Sequence, residues 1–345
     1  MKRYVAVLCV LCLLCMSGCS KVDGEEETLA EEKVAKIQIG MSFDSFVIER
    51  WQRDRDVFVS TAKELGAEVN VQNANGDAKE QIAQIEYFIR KKMDVIVIIC
   101  IDSNELRSVV KKAKNAGINV IAYDRMINDS DVDLFISFDN EMVGTMMAKS
   151  LVEAGLEKKK VIMICGPTTD NNVFYVDTGF RNVMDKEEVE VLDVINCESW
   201  KAELGGDYVY ANIDLIEQVD GIMCGNDSIA TQVVRALAEK RLAGKVYVVG
   251  QDADLEACQR IVEGTQVMTV YKPVEKLAQT AAEYAIKLAK KEPIEGLKTM
   301  KEGDEEVPYV YLAPIAVTKA NIDEVIIDSG YHLKEDVYLN VPNEE

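Results

Sequence analysis

From Ile37 onward, short β-branched runs alternate with longer stretches whose apolar residues recur every three or four positions. The pattern predicts strands over 37–43, 68–72, 95–99, 120–123 and 134–138, with helices over 48–65, 78–92 and 106–116 between them. Val95 to Ile99 is apolar at every position, as a parallel strand covered on both faces requires. The alternation then restarts. Strands over 161–164, 189–195, 221–224, 246–250 and 266–271 interleave with helices over 174–186, 202–216, 229–240, 255–263 and 274–290. Alternating βα units build a doubly wound α/β architecture. Two such runs in one chain predict two parallel-sheet lobes rather than one large sheet. Their boundary is expected near 140–155, and Tyr309 to Leu312 reads as an extra strand in the tail.

The first residues follow another pattern. Lys2 and Arg3 lead into the apolar run Val5 to Met16, then Ser17-Gly18-Cys19. This is a signal peptide with a basic start and small residues before its cleavage point, and the run is short for a bilayer span. Cysteine directly after small residues resembles the lipobox of bacterial lipoproteins. That resemblance implies removal of residues 1–18 and attachment of a lipid to Cys19. The alternatives are an ordinary signal peptide or an uncleaved anchor. An acidic segment, 19–35, follows, with Glu25 to Glu27 and Glu31-Glu32. It has too little apolar surface to fold and reads as a tether.

Composition narrows the function. A chain of 345 residues that is 48% hydrophobic can bury one or two sizeable cores. A net charge of -21 argues against nucleic acid as a partner, because phosphate neutralisation needs Lys and Arg. It argues equally against contact with an anionic membrane surface. Of nine cysteines, Cys9, Cys12 and Cys15 fall in the leader and Cys19 is the lipid site. Cys100, Cys165, Cys197, Cys224 and Cys258 remain, odd in number and widely spaced, so no disulfide framework is expected. Cys100, Cys165 and Cys224 end apolar runs, where free cysteine acts as a small hydrophobe. The body has no CxxC or Cys/His metal spacing, and its only histidine is His332. Neither GxGxxG at a strand–helix turn nor GxxxxGK[ST] occurs, so no nucleotide cofactor is expected.

In open α/β sheets, ligands bind beyond the carboxyl ends of the strands. Those positions here hold Asp44, Arg50 and Trp51; Asp124 and Arg125; Asp170, Asn171 and Asn172; Asn226 and Asp227; Gln251, Asp252 and Asp254; and Lys272. Carboxylates only accept hydrogen bonds, Arg and Lys only donate, and Asn does both. Such a set suits a neutral polyhydroxyl ligand. Trp51 and Trp200, the two tryptophans, could stack on the C–H face of a sugar ring. Taken singly, each Asp or Asn is as well explained as a helix cap, and Asp227 and Asp254 are read that way. The argument for a ligand rests on recurrence in both lobes.

Several runs resemble the bacterial D-xylose-binding proteins, receptors of ABC sugar transporters with the periplasmic-binding-protein type I fold. They are Ile48 to Asp56, Gln72 to Gly76, Ala122 to Asp129, Ile136 to Glu141, Gly250 to Leu255 and Met268 to Pro273. The resemblance covers about 36–332. It implies two lobes joined by a hinge, the first from 36–142 and 273–300 and the second from 143–272 and 301–335. It implies sugar contacts from Arg50, Asp124, Arg125, Asp170, Asn172, Asn226, Asp252 and Lys272, with Trp51 and Trp200 as stackers. Relatives often carry another Trp just before the position of Trp200, where this chain has Ile195 to Ser199.

The function so implied is capture of D-xylose or a similar aldose by hinge closure, outside the cytoplasm, with delivery to an ABC permease. An alternative is a sensor that presents its closed form to a membrane histidine kinase ectodomain. An enzyme using Asp124 and Asp252 as acid and base ranks below both, since hydroxyl recognition already accounts for those acids.

Overall fold

A computed structural model describes residues 36–341; the leader, Cys19 and the acidic tether fall outside the described residues. The body begins with β1 (Gln38–Phe43), α1 (Arg50–Glu64), β2 (Glu68–Asn73), α2 (Ala78–Arg90), β3 (Val95–Ile98), α3 (Arg107–Asn115), β4 (Asn119–Tyr123) and β5 (Leu134–Phe138). A second run follows as α4 (Asn140–Ala154), β6 (Lys160–Cys165), α5 (Asn171–Lys186), β7 (Glu190–Asn196), α6 (Glu203–Ala211) and α7 (Ile213–Ile216). It continues through β8 (Gly221–Cys224), α8 (Asp227–Glu239), β9 (Tyr247–Gln251), α9 (Leu255–Glu263) and β10 (Met268–Tyr271). The chain ends with α10 (Val274–Lys290), β11 (Lys298–Glu302), β12 (Glu305–Leu312), β13 (Ile315–Thr318) and α11 (Lys334–Val337).

The strands form two sheets, ordered β11-β12-β5-β4-β3-β1-β2 and β13-β10-β9-β8-β6-β7. Pairing is parallel except where β11 meets β12 and β13 meets β10. All four residues of β3 are fully buried. Each such side chain contributes roughly 1.5–3 kcal/mol relative to exposure. Helix α10 leaves the second sheet to pack on α1, so its apolar stripe of Leu277, Ala278, Ala281, Ala282 and Ala285 covers the first lobe. The chain therefore passes between lobes three times, after Phe138, after Tyr271 and after Leu312.

Three expectations need correction. The strand ending at Leu312 belongs to the first sheet, not the second. It pairs in parallel with β5, Tyr309 opposite Phe135, and buries Val307. An unpaired β5 would leave a bare sheet edge. The lobe boundary expected near 140–155 falls just ahead of that span, after Phe138, and residues 140–154 form the helix α4, whose contacts lie on the second lobe. Buried residues lie at 140, 143, 144, 147, 148, 150 and 151, so its apolar stripe is broad and its periodicity faint. The helix expected over 202–216 divides at Asn212, whose side-chain Nδ2 donates back to the Tyr208 carbonyl at 2.9 Å.

Candidate functional site

The carboxyl ends of both sheets face one another across a cleft, and cap chemistry fixes what they present. Asp170 leaves β6 in an extended conformation and accepts from the Asn172 N–H at 3.0 Å, which opens α5. Asn226 does the same for α8 through the Ile229 N–H at 2.9 Å. Arg50 and Trp51 are the first residues of α1, Asp124 and Arg125 follow β4, Asp252 follows β9 and Lys272 follows β10. These elements enclose a small cavity of about 30 Å³, lined by nine of the ten predicted residues: Arg50, Trp51, Asp124, Arg125, Asp170, Asn172, Trp200, Asp252 and Lys272. The tenth, Asn226, lies outside the lining and serves as the α8 cap.

Ion pairs tie the lining together. Arg50 Nη2 lies 2.5 Å from Asp124 Oδ2, and its Nη1 reaches across to Asp252 Oδ1 at 3.8 Å. Lys272 Nζ holds the same Asp252 oxygen at 2.9 Å. Arg125 pairs with Asp44 in its own lobe at 2.8 Å and with Asp170 of the other lobe at 2.6 Å. Behind Arg50, Asp54 sits one turn along α1, with Oδ2 at 3.4 Å from Arg50 Nε, and accepts a hydrogen bond from the Tyr123 hydroxyl. All eight of these charged side chains are buried.

Burial and charge compete at each carboxylate. Burial pushes Asp124 up, but Arg50, Lys272 and Arg125 together outweigh it and hold the group below its ordinary range. At Asp44 and Asp170 burial wins over Arg125, and both are raised. Asp54 is pushed up to about 6 by burial, with Arg50 opposing. Three cations stand among five carboxylates, so an anionic ligand would find no uncompensated positive charge. A neutral ligand would meet donors and acceptors side by side.

Several turns carry strained backbone. Asp124 and Asp252 have φ of 64° and 97°, and Trp200 has φ of 58°. Asp tolerates this left-handed region; a bulky aromatic rarely occupies it, and each such residue costs about 1–3 kcal/mol. The Trp200 ring lies over Gly166, where an added Cβ would fall 2.3 Å from the indole. On the opposite side, Trp51 has the Arg50 guanidinium 4.3 Å from its ring centroid and that of Arg125 at 5.5 Å.

Among the described residues, eight buried side-chain polar atoms have no hydrogen-bond partner. Six belong to the lining: Arg50 Nε, Trp51 Nε1, Arg125 Nε, Trp200 Nε1, Gln251 Oε1 and Asp252 Oδ1. Arg50, Arg125 and Asp252 are close to charged partners, but the angles there miss hydrogen-bond geometry. Buried polar atoms are ordinarily satisfied, so this concentration sets the cavity apart from the rest of the described interior.

Sequence reasoning missed Asp54, Tyr123 and Gly166 as site residues; Asp44 and Gln251 stood among the strand-exit positions but not among the expected sugar contacts. Asp54 had a signal, its i,i+4 spacing from Arg50 on one helix. Gly166 had none, because its role depends on where Trp200 places its ring. Asp227 is not the cap expected of it, whereas Asp254 does hold the N-cap position of α9. Asp227 follows the true cap, Asn226, and Asp254 makes no side-chain cap bond, accepting instead from Ser228 at 3.2 Å.

Comparison with known proteins places this geometry. A family model described as periplasmic binding protein domain matches residues 39–293. A D-xylose-binding periplasmic protein of Haemophilus influenzae is 44% identical over 307 residues, covering 88% of this chain and 92% of that protein. A D-xylose-binding periplasmic protein of Escherichia coli is 40% identical over 310 residues, covering 88% and 93%. A crystal structure of an ABC transporter solute binding protein from Clostridium phytofermentans, with bound β-D-glucose, matches with a TM-score of 0.78. It is 27% identical and covers 87% of this chain and 99% of that one.

Proposed function

Because the chain belongs to the periplasmic binding protein family, we propose that it captures a neutral aldose, D-xylose or a close relative, by closing its lobes, and delivers it to an ABC permease. The observation that carries this reading is the set of buried polar atoms without a hydrogen bond on both sides of one cavity. Sugar hydroxyls donate and accept at once, so they suit the acceptor Asp252 and the donors Arg50, Trp51 and Trp200 together. A ligand bridging the lobes stabilises closure by its differential affinity for the closed state. The names of the two relatives point to xylose. Lipid attachment at Cys19 would hold the receptor at the outer face of the cell membrane.

The lowered Asp124 supports binding over acid catalysis, which calls for a raised carboxyl. Calorimetric titration of residues 36–345 with D-xylose, then glucose, ribose and arabinose, tests the reading. One-to-one xylose binding is the expected result. Heat with another aldose alone moves the selectivity and keeps the mechanism; silence with all four defeats the proposal. Loss of xylose uptake on deleting the gene tests delivery, and radiolabelled palmitate incorporation that stops in Cys19→Ala tests the anchor.

A further inference from the structure

Behind the cleft, four residues close a ring of hydrogen bonds around the crossover from β5 to α4. Asn172 Nδ2 donates to the Asp124 carboxylate and to the Asp124 carbonyl, both at 3.1 Å. Its Oδ1 accepts from Asn140 Nδ2 at 2.9 Å. Asn140 Nδ2 also reaches Ser137 Oγ at 3.4 Å, and Ser137 donates to the Asp124 carbonyl at 2.6 Å. Asn140 is buried, opens α4 directly after its cap Asp139, and stays outside the cavity lining.

An Asn side chain can turn either its oxygen or its NH2 toward a given neighbour. Toward Asp124 only the NH2 is favourable, since carboxylate and carbonyl both accept. Asn140 settles that choice from behind by giving the Asn172 oxygen a donor of its own. The frame is rigid. A Cβ on Gly144 of α4 would lie 1.9 Å from the Val176 carbonyl oxygen of α5, and one on Gly179 would lie 1.9 Å from that of Glu141. Helices packed this closely move as one body. Asn140 and Asn172 therefore travel with the second lobe, while Asp124 and Ser137 stay with the first. The Asn172–Asp124 bonds therefore bridge the two lobes.

We propose that Asn140 is a positioning residue for ligand capture: it orients the Asn172 amide so that its NH2 meets Asp124 and the ligand, and so couples the hinge to the closed state. This rests on the sugar-capture reading above. Asn140→Asp tests it by keeping the shape and removing the donor. A carboxylate there draws the Asn172 NH2 to itself and turns the Asn172 oxygen onto Asp124. D-Xylose affinity should fall at least about tenfold, expressed in the dissociation rate, with association within about twofold. In an Asn172→Ala background the same change should cost less than about twofold. Equal losses in both backgrounds, or no loss in either, would overturn the proposal. Should Asn140→Asp fail to fold, Asn140→Ala runs the same cycle with a loss of about threefold to tenfold. If the unaltered protein binds no aldose, the function reading fails on that titration alone. The ring is then read by small-angle scattering of the ligand-free protein. Asn140→Asp should expand it to the dimensions of Asn172→Ala, and an unchanged radius of gyration would sink the proposal.

Discussion

The cleft and the cluster around Asp227 are both buried, both acidic and both fed by strand exits, yet they finish their hydrogen bonds differently. Asp227 Oδ2 accepts from Thr269 at 2.5 Å and from the Asp254 N–H at 3.2 Å, and its Oδ1 accepts from Gln266 at 2.9 Å. Gln266 accepts in turn from Arg260 at 2.9 Å. None of those side chains has a buried polar atom without a hydrogen bond, whereas six lining residues of the cleft do. Acidity does not sort them cleanly, since burial also raises Asp44, Asp54 and Asp170 beside the cleft. Burial raises Asp227 and Asp254, while the cations of the cleft overcome burial at Asp124. Burial and charge thus fail to separate a ligand site from a structural hub. Incomplete hydrogen bonding separates them, because a hub must satisfy itself and a receptor must leave bonds for its guest.

The comparison breaks most readily at Asp124. Asp124→Ala takes from Arg50 its 2.5 Å partner and from the ligand an acceptor, so D-xylose affinity should fall by about 3–5 kcal/mol, roughly a hundredfold or more, by calorimetry. Asp227→Ala should do the reverse. Unsatisfied Thr269 and Gln266 should cost about 2–4 kcal/mol of unfolding free energy in urea, with affinity changed less than about threefold. Two glycines sharpen the contrast with single methyl groups. In Gly250→Ala the new Cβ would fall 2.1 Å from Asp227 Oδ1, and the loss of about 1–3 kcal/mol should appear in stability. In Gly166→Ala it would fall 2.3 Å from Trp200, and a loss of about 1 kcal/mol or more should appear in sugar affinity.

The smallest effect is in pH. Asp54 has a folded value of about 6, above the unfolded carboxylate range, so the folded state holds the extra proton between about pH 4 and 6. Its destabilising contribution is absent below that window and complete above it. Stability should therefore rise by roughly 1 kcal/mol from pH 7 to pH 5 on this account, with the raised Asp227 and Asp254 acting in the same direction. Asp124, lowered, withdraws its contribution only at more acid pH. Thermal melts of Asp54→Asn should show a flatter pH dependence than the unaltered protein; equal slopes would remove Asp54 from the account.

Most of the fold was legible because parallel strands such as Val95 to Ile98 are apolar throughout and their helices are amphipathic. Helix α4 was not, since an apolar stripe as wide as its own gives little periodic contrast. Nor was the partner of β12, because strand pairing over long separations leaves no local mark. At the site, residue types at strand exits named nine of the lining side chains. They could not tell Asn226, Asp227 and Asp254 from ligand contacts or from one another. Cap, hub and contact share the same amino acids and differ only in what surrounds them.

The third passage between lobes has a consequence for how the protein is made. β5 ends at Phe138, yet its outer edge is covered only by β12, which closes at Leu312. A chain emerging from its N-terminus has every helix of the first lobe but α10 long before it has that covering strand. The first sheet stays open on one side until β12 is made, with its edge bonds unclaimed. Neither lobe is a contiguous stretch of sequence, so neither can be completed and set aside while the other is awaited. Truncation before Leu312 should leave both lobes unfinished together, and the order of synthesis makes β12 the lock on a lobe begun at β1.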